Sequence, residues 1–321
     1  MRATGIGRRT FLKGGLVAWV AGGASLSKEG RAQVVVPNSA GTGAPTLKAP
    51  ANACDCHHHI YDAARFAQPP QATTSIQPNA RVEEFRLLER RLGVSRDIVV
   101  TPSAYATDNR VTLDAIAQLR PNARGVAVID PAITDSELKV LDAGGIRGIR
   151  FSMTNATISA ATIANIDALS KRVAALGWHV QINMTADQIA TMDQVWNRLP
   201  SALVFDHMTH VSPSGVSHPA YAVVRRVIDK GRTWVKLSVT YDNTKDGPPT
   251  YADVTAVAQA YVKAAPERLV WGSNWPHPNE TTKPDDAVLF DLLGRWATDE
   301  RTRHRILVEN PETLYGFTKV R

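Results

Sequence analysis

The chain has 321 residues, 44% of them hydrophobic and 21% charged, so it can bury a large core and is not a disordered protein. Its formal net charge is +7, but +5 of this charge lies in residues 1–33, which leaves only +2 for the rest. The positive charge therefore gives no reason to expect a nucleic-acid-binding surface, and no segment after residue 33 has the length and apolarity of a membrane anchor.

The first 32 residues have the pattern of a twin-arginine export signal. Arg8-Arg9 is followed by Phe-Leu-Lys, a short apolar run that contains glycine, and small residues where cleavage can occur. The run is too short to remain in a bilayer. We therefore expect a cleavable signal at 1–32 and a periplasmic protein; the alternative is an unused, disordered basic tail and a cytoplasmic protein. The Pro/Gly-rich stretch at 33–50 predicts a flexible linker.

Strand and helix patterns alternate through residues 51–321. Short apolar runs rich in Val and Ile predict strands that are buried on both faces, and the segments between them predict helices. Eight such units in about 270 residues are typical of a single (β/α)8 barrel, the TIM barrel. A doubly wound sheet would usually show a Gly-rich loop after its first strand, and the sequence has none there. The predicted strands are Cys54–Ile60, Asp97–Pro102, Arg124–Asp130, Ile146–Ser152, Trp178–Met184, Ala202–His207, Thr233–Ser238 and Arg268–Ser273; the predicted helices are Val82–Leu92, Asn109–Leu119, Ser136–Ala143, Ala160–Leu176, Ala186–Leu199, Tyr221–Lys230, Tyr251–Ala265 and Asp285–Trp296.

The C-terminal ends of the strands are where such a barrel places its active site. The first strand contains three consecutive histidines, and alternation puts His57 and His59 on one face and His58 on the other. Two imidazoles on one face can hold a divalent metal or orient a polarised carbonyl group; a surface histidine cluster is the alternative. Further polar candidates stand at or after the other strands: Ser103, Tyr105, Asp130, Arg150, Asn183, His207, Lys236, Tyr241, Asn274 and His277.

Several motifs stand out along the chain: His57-x-His59, Val204–Met208, Trp271–Pro278, and the shorter segments at 106–109, 145–151 and 308–311. Together they resemble the amidohydrolase superfamily, and most closely its lactone-processing branch, over roughly residues 55–315. The resemblance implies that His57, His59 and His207 line the site and polarise a substrate carbonyl, and that Arg150 binds a substrate carboxylate, for which a guanidinium is well suited.

Position 274 departs from the family pattern. Many amidohydrolases have an aspartate there, which binds a metal or activates water, whereas this chain has Asn274. An amide cannot accept a proton at neutral pH and is a weak metal ligand. If one divalent metal such as Zn²⁺ is bound, its ligands are His57, His59 and His207; a metal-free site is the alternative. Water must then be deprotonated by a metal, by His277 or by the Asp285–Asp286 pair.

Two more departures bear on the substrate. His210 and Asp242 stand where the 2-pyrone-4,6-dicarboxylate lactonase of that branch has arginines, so we expect a different ligand. We predict hydrolysis of a small carboxylated or sulfonated lactone, such as 4-sulfomuconolactone, in aromatic-acid catabolism. One alternative is a lactone isomerase similar to D-galactarolactone isomerase; another is a non-catalytic barrel that binds anionic ligands.

The sequence does not indicate an oligomeric state and is compatible with a monomer. Predicted catalytic residues are His57, His59, His207, Asn274 and His277, and predicted substrate-binding residues are Arg150, Ser103, Tyr105, Asn183, His210, Lys236 and Tyr241.

Overall fold

Eight parallel strands, each followed by at least one helix, form a closed barrel. The computed structural model describes residues 35–69, 79–153, 156–212, 214–242 and 244–319, with only the backbone for 156–162; the predicted export signal lies outside these residues. The strands pair in chain order. Backbone hydrogen bonds from Asn274 N to His57 O (2.7 Å) and from His59 N to Trp275 O (2.8 Å) join the segment after the last strand to the first strand. The predicted (β/α)8 barrel is therefore confirmed. The strands are β1 (Cys54–His58), β2 (Arg96–Val100), β3 (Ala123–Ala127), β4 (Ile146–Ser152), β5 (His179–Asn183), β6 (Ala202–Phe205), β7 (Thr233–Leu237) and β8 (Leu269–Trp271).

The helices surround the barrel, and the described part of the chain contains none that is long and apolar enough to cross a membrane. The predicted fifth helix is divided in two, because the backbone leaves the helical conformation at Met192 (φ −107°, ψ 22°). Two further helices follow the last predicted helix, and the sequence patterns do not indicate them. The helices are α1 (Val82–Leu92), α2 (Arg110–Leu119), α3 (Asp135–Gly144), α4 (Ala156–Ala175), α5 (Ala186–Thr191), α6 (Asp193–Arg198), α7 (Pro219–Ile228), α8 (Ala252–Ala264), α9 (Asp286–Trp296), α10 (Glu300–His304) and α11 (Asn310–Tyr315).

Alternating strand residues divide between two apolar cores. Those of one face pack with helix residues such as Phe85 and Leu88 of α1 and form the outer core. Those of the other face, among them Cys54, Ile98 and Val204, form a smaller cluster inside the barrel. Both faces of the strands are buried, as the continuous Val- and Ile-rich runs predict.

A register shift in β1 positions the histidines. The pairing of β1 with β2 is irregular between Asp55 and His58. His58 then lies outside the barrel and stacks on Phe85, with ring centroids 3.6 Å apart. His57 turns inward to the centre of the barrel, and His59 reaches the cavity described below. The predicted separation of His58 from the other two histidines is therefore observed.

The segment predicted as a flexible linker packs against the barrel. Ala40 N donates to Pro284 O (2.9 Å), and Trp275 Nε1 donates to Pro37 O (2.7 Å). The Arg91 guanidinium also donates to backbone oxygens of this segment at Ala40 and Gly43. Residues 35–50 are thus held along the barrel by hydrogen bonds, whereas their composition predicts a flexible linker. The small and proline residues of this segment allow the chain to pack closely against the barrel.

Candidate active site

A cavity of about 330 Å³ opens at the C-terminal ends of the strands. Polar side chains from most of the strand ends and loops line it, as expected for this fold. Eight of the twelve predicted site residues lie in its wall: His59, Ser103, Arg150, Asn183, His207, His210, Tyr241 and Asn274. Four others are buried behind the wall: His57, Tyr105, Lys236 and His277.

A left-handed turn directs two histidines into the cavity. Residues 207–210 all have positive φ, between 50° and 61°, although none of them is glycine. L-residues rarely adopt this conformation, and such strained backbone tends to occur at functional sites. His207 and His210 both line the cavity. The turn also breaks the alternation of β6, so that Asp206 and His207 approach the same centre.

Asp206 is the hub of the buried charges. Its Oδ2 accepts from Arg150 Nε (2.9 Å) and from Gln181 Nε2 (3.0 Å), and its Oδ1 lies 3.8 Å from Lys236 Nζ. Burial alone would raise the pKa of this carboxyl group, but Arg150 and the other positive neighbours hold the pKa well below its usual range. Asp206 is therefore ionised, and it fixes the guanidinium of Arg150 at the cavity wall.

Lys236 does not contact the cavity, so the prediction that it binds substrate is corrected. The side chain is fully buried. Its ammonium donates to Cys56 O (2.8 Å), to Gln181 Oε1 (2.8 Å) and to His57 Nδ1 (3.2 Å). An ammonium has three N–H donors, and these contacts use all of them. Burial lowers the pKa of Lys236 to about 8, so the group is still mainly protonated at neutral pH.

The contacts of Lys236 assign the protons on two histidines. His57 Nε2 lies 3.3 Å from His59 Nε2, and His59 Nδ1 lies 2.8 Å from Val100 O. The Lys236 ammonium can only donate, so His57 Nδ1 accepts from it and the His57 proton lies on Nε2, which donates to His59 Nε2. The Val100 carbonyl can only accept, so His59 carries its proton on Nδ1. His57 Nδ1 also lies 3.4 Å from Asp206 Oδ1, but an ion pair there would need a charged imidazole. Burial and Lys236 lower the pKa of His57 well below 6.5, and burial lowers that of His59 to about 3, so both are neutral.

The assignment restricts what His59 can do. Its Nε2 is an acceptor that His57 already occupies, so neutral His59 has no proton to offer a substrate carbonyl. His207 has that capacity: its Nδ1 lies 2.9 Å from Ser238 Oγ, and a hydroxyl that donates to Nδ1 leaves Nε2–H as a donor. Burial lowers the pKa of His207 well below 6.5, so it is a neutral imidazole.

Another part of the cavity wall is a hydrogen-bonded polar surface. His210 Nε2 lies 3.0 Å from Asn183 Oδ1, and Asn183 Nδ2 donates to Ser152 Oγ (3.0 Å). Asp242, whose side chain is 47% exposed, lies 3.6 Å from His210 Nδ1, and Glu280 also lines the cavity. These groups are suited to hydroxyl groups of a ligand.

The remaining predicted residues lie behind the cavity. Tyr105 is buried, and its hydroxyl accepts from Asp62 N (3.1 Å), so it supports the loop after β1 and does not face the ligand. His277 is also buried and lies between Tyr241 and Asp286. Asn274 lines the cavity, with its amide donating to Tyr241 Oη (2.8 Å).

The Lys236 ammonium limits where a divalent metal could bind at the centre of the barrel. Within the described ranges, the group of His and acidic side chains whose ligand atoms lie within 4.8 Å of one another is His57, Asp206 and His207, which omits His59 of the predicted set. A metal on His57 Nδ1 would lie against the ammonium, which is 3.2 Å from that nitrogen, and would be repelled by it. Lys236 and Arg150 place positive charge next to Asp206 at this centre.

Sequence reasoning missed Asp206 and Gln181 as organisers of the site. Asp206 stands beside His207 in a motif that was noted, but strand alternation assigns neighbouring residues to opposite faces. Gln181 lies two residues before Asn183 on β5, so the alternation of that strand was a signal that could have identified it. Both are buried polar residues: Gln181 lies in the middle of β5, and Asp206 directly follows β6.

Comparison with known proteins agrees with this architecture. A family model described as Amidohydrolase matches residues 54–317. The chain is 33% identical to a D-galactarolactone isomerase from Agrobacterium fabrum, with 87% of this chain and 96% of that protein aligned. It is 30% identical to a 4-sulfomuconolactone hydrolase from Rhizobium radiobacter, with 83% and 91% aligned. An apo crystal structure of an Agrobacterium tumefaciens protein superposes with a TM-score of 0.80 at 32% identity, covering 88% of this chain and 99% of that one.

Proposed function

Because the chain belongs to the amidohydrolase family, we propose that it is an enzyme that opens a small carboxylated lactone by hydrolysis. The observation that carries the proposal is the placement of Arg150 and His207 in one cavity. Asp206 holds Arg150 from behind at 2.9 Å, and His207 can offer an N–H to a carbonyl oxygen. A guanidinium for the carboxylate and an imidazole for the ring carbonyl match the two polar ends of such a substrate.

The charges favour a single anionic group on the substrate. Lys236, Arg150 and Asp206 together carry a net positive charge beneath the cavity, which attracts an anion. Among the described residues of the lining, Arg150 is the one lysine or arginine, and Asp242 and Glu280 are negative. These carboxylates would repel a second anionic group such as the sulfonate of 4-sulfomuconolactone and would accept hydrogen bonds from hydroxyls. We therefore favour a hydroxylated lactone with one carboxylate.

The reaction requires stabilisation of charge on the carbonyl oxygen. When water adds to the lactone carbonyl, this oxygen becomes an oxyanion, and the bond to the ring oxygen then breaks. His207 stays neutral because burial lowers its pKa, so its N–H can donate to the oxyanion without charging the site beforehand. Arg150 holds the carboxylate and so orients the ring.

A lactone isomerase is the second candidate, and Asn274 is the observation that favours it. A hydroxyl of the substrate, held by the polar wall, would attack the carbonyl in place of water. The reaction then needs no aspartate to position water at this strand end. The two candidates differ in the source of the oxygen that enters the product carboxyl group.

Replacing Arg150 tests the proposed function. Arg150→Lys keeps a positive charge beside Asp206, and we expect kcat/KM for a carboxylated lactone to fall about 10²–10³-fold because the paired N–H donors are lost. The methyl ester of the same lactone should be processed equally by both proteins, so it is the matched control. Consumption of each compound can be followed by NMR. If the wild type binds the lactone without consuming it, the protein is a binding protein. If the wild type consumes the acid and its methyl ester at equal rates, Arg150 does not bind the substrate carboxylate.

A further inference from the structure

A hydrogen-bonded row of four side chains runs from the cavity wall into the protein. Asn274 Nδ2 donates to Tyr241 Oη (2.8 Å). Tyr241 Oη lies 2.9 Å from His277 Nδ1, and His277 Nε2 lies 3.1 Å from Asp286 Oδ2. Asn274 and Tyr241 line the cavity, whereas His277 and Asp286 are fully buried.

We propose that Tyr241 is the acid–base group of the lactone reaction and that His277 and Asp286 relay its proton. The inference rests on the proposed function. Tyr241 would supply the proton acceptor that the site otherwise lacks, because the amide of Asn274 cannot accept a proton.

The direction of the hydrogen bonds follows from the buried end of the row. Asp286 is the first residue of α9, where the helix N-terminus favours a carboxylate. An ionised Asp286 can only accept, so His277 donates from Nε2 and its Nδ1 carries a lone pair. Tyr241 must then donate its hydroxyl proton to Nδ1, while its oxygen accepts from Asn274. This is the arrangement by which a hydroxyl, an imidazole and a carboxylate cooperate in nucleophilic enzymes.

The proton transfers balance over the reaction. As water or a substrate hydroxyl attacks the carbonyl, its proton passes to Tyr241 Oη while the phenol proton passes to His277 Nδ1. The new C–O bond forms, and the imidazolium is stabilised by Asp286. When the bond from the acyl carbon to the ring oxygen breaks, His277 returns its proton through Tyr241 to the leaving oxygen. Burial raises the pKa of Tyr241 well above 10, so the phenol begins and ends the cycle protonated.

A purely structural row would behave differently. His277 closes the turn after β8, with a positive φ of 55°, and its backbone oxygen accepts from Lys283 Nζ (2.7 Å). If the side chains only held this turn, removing the Tyr241 hydroxyl would change stability and not the rate of the chemical step. The hydroxyl is therefore the group to test.

Tyr241→Phe and His277→Gly test the relay, and glycine suits the positive φ at position 277. We expect kcat to fall about 10²–10³-fold in each variant, with KM within about threefold of wild type, because only proton transfer is lost. Added imidazole should restore His277→Gly at least about tenfold and should not restore Tyr241→Phe. Tyr315→Phe is the matched control: it removes another buried phenol hydroxyl, one without a hydrogen-bond partner among the described residues, inside the barrel.

The outcomes separate this inference from the proposed function. If the wild type turns over a lactone and Tyr241→Phe keeps kcat within about threefold, the relay is refuted and the proposed function stands. If Tyr241→Phe is slow but imidazole does not restore His277→Gly, the role of His277 is refuted. If the wild type binds carboxylated lactones and consumes none, the proposed function fails, and the relay with it. Should His277→Gly not fold, Tyr241→Phe alone decides.

Discussion

Replacing His207 with asparagine should lower kcat for lactone turnover about 10²–10³-fold, which is the cost of losing one donor to an oxyanion. The asparagine amide takes about the place of the imidazole Nδ1 and does not reach that of Nε2, from which His207 would donate. Asparagine tolerates the left-handed backbone at φ 52°, so the turn should survive the substitution. Because burial keeps the pKa of His207 well below 6.5, the imidazole is neutral over pH 6–8, and the loss should be the same throughout that range. The measurement is kcat at saturating lactone across this range.

His210→Asn is the matched control for that experiment. It places the same residue in the same left-handed turn and in the same cavity, at φ 51°. His210 contacts Asn183 and Asp242, so its loss should act mainly on KM. Equal losses of kcat in the two variants would show that His207 has no special role at the carbonyl.

Asp206→Asn should destabilise the fold by about 3–5 kcal/mol, the usual cost of removing one partner from a buried ion pair. Arg150 and Lys236 would both remain buried without their carboxylate. The measurement is the free energy of unfolding in urea at pH 7. The folded pKa of Asp206 is lowered, so its contribution is complete above the unfolded pKa of about 3.9 and is lost only as the pH falls below that value.

Asp167→Asn provides the comparison for Asp206. Its Oδ2 pairs with Arg198 Nη2 at 2.7 Å, but the side chains are 44% and 53% exposed. Exposed pairs contribute about 1 kcal/mol or less, so this variant should unfold almost as wild type does. A similarly small loss for Asp206→Asn would mean that the buried charges are solvated or otherwise compensated, and the account of the site as a charge hub would be wrong.

The barrel could be predicted because its causes are local and repeated. Each strand is a short apolar run, and each helix begins and ends with recognisable residues, such as Thr134 before α3 and the glycines after α1 and α3. In a barrel of parallel strands, the C-terminal ends of all strands lie at the same rim. That is why His59, Arg150 and His207 could be assigned to one site from the sequence.

What could not be predicted depends on long-range contacts and on deviations from ideal strands. Lys236 stands at a strand position that suggests a substrate contact, but its ammonium is directed inward to Gln181 and His57 from other strands. The left-handed turn after β6 brings His207 to the same centre as Asp206, and no simple sequence pattern predicts four consecutive positive φ values. The segment at 35–50 has a linker composition, yet Arg91, distant in sequence, fixes it by hydrogen bonds.

The position of the ammonium also changes the interpretation of the histidine motif. A His-x-His pair at the first strand suggests metal binding when considered alone. Here Lys236 donates to one of these imidazoles, and the pair forms a row of neutral hydrogen bonds that ends at Val100 O. In this account, fixed side-chain charges and the His207 donor stabilise the reaction.

The most direct test of the account is the oxygen isotope content of the product formed in H₂¹⁸O in the presence of a metal chelator. We expect the protein to consume a carboxylated γ- or δ-lactone under these conditions and to place ¹⁸O in the carboxyl group of the ring-opened product, as judged by mass spectrometry. A new lactone without label would identify the isomerase instead. Loss of turnover on chelation that returns with added Zn²⁺, or no turnover of any carboxylated lactone, would contradict the account.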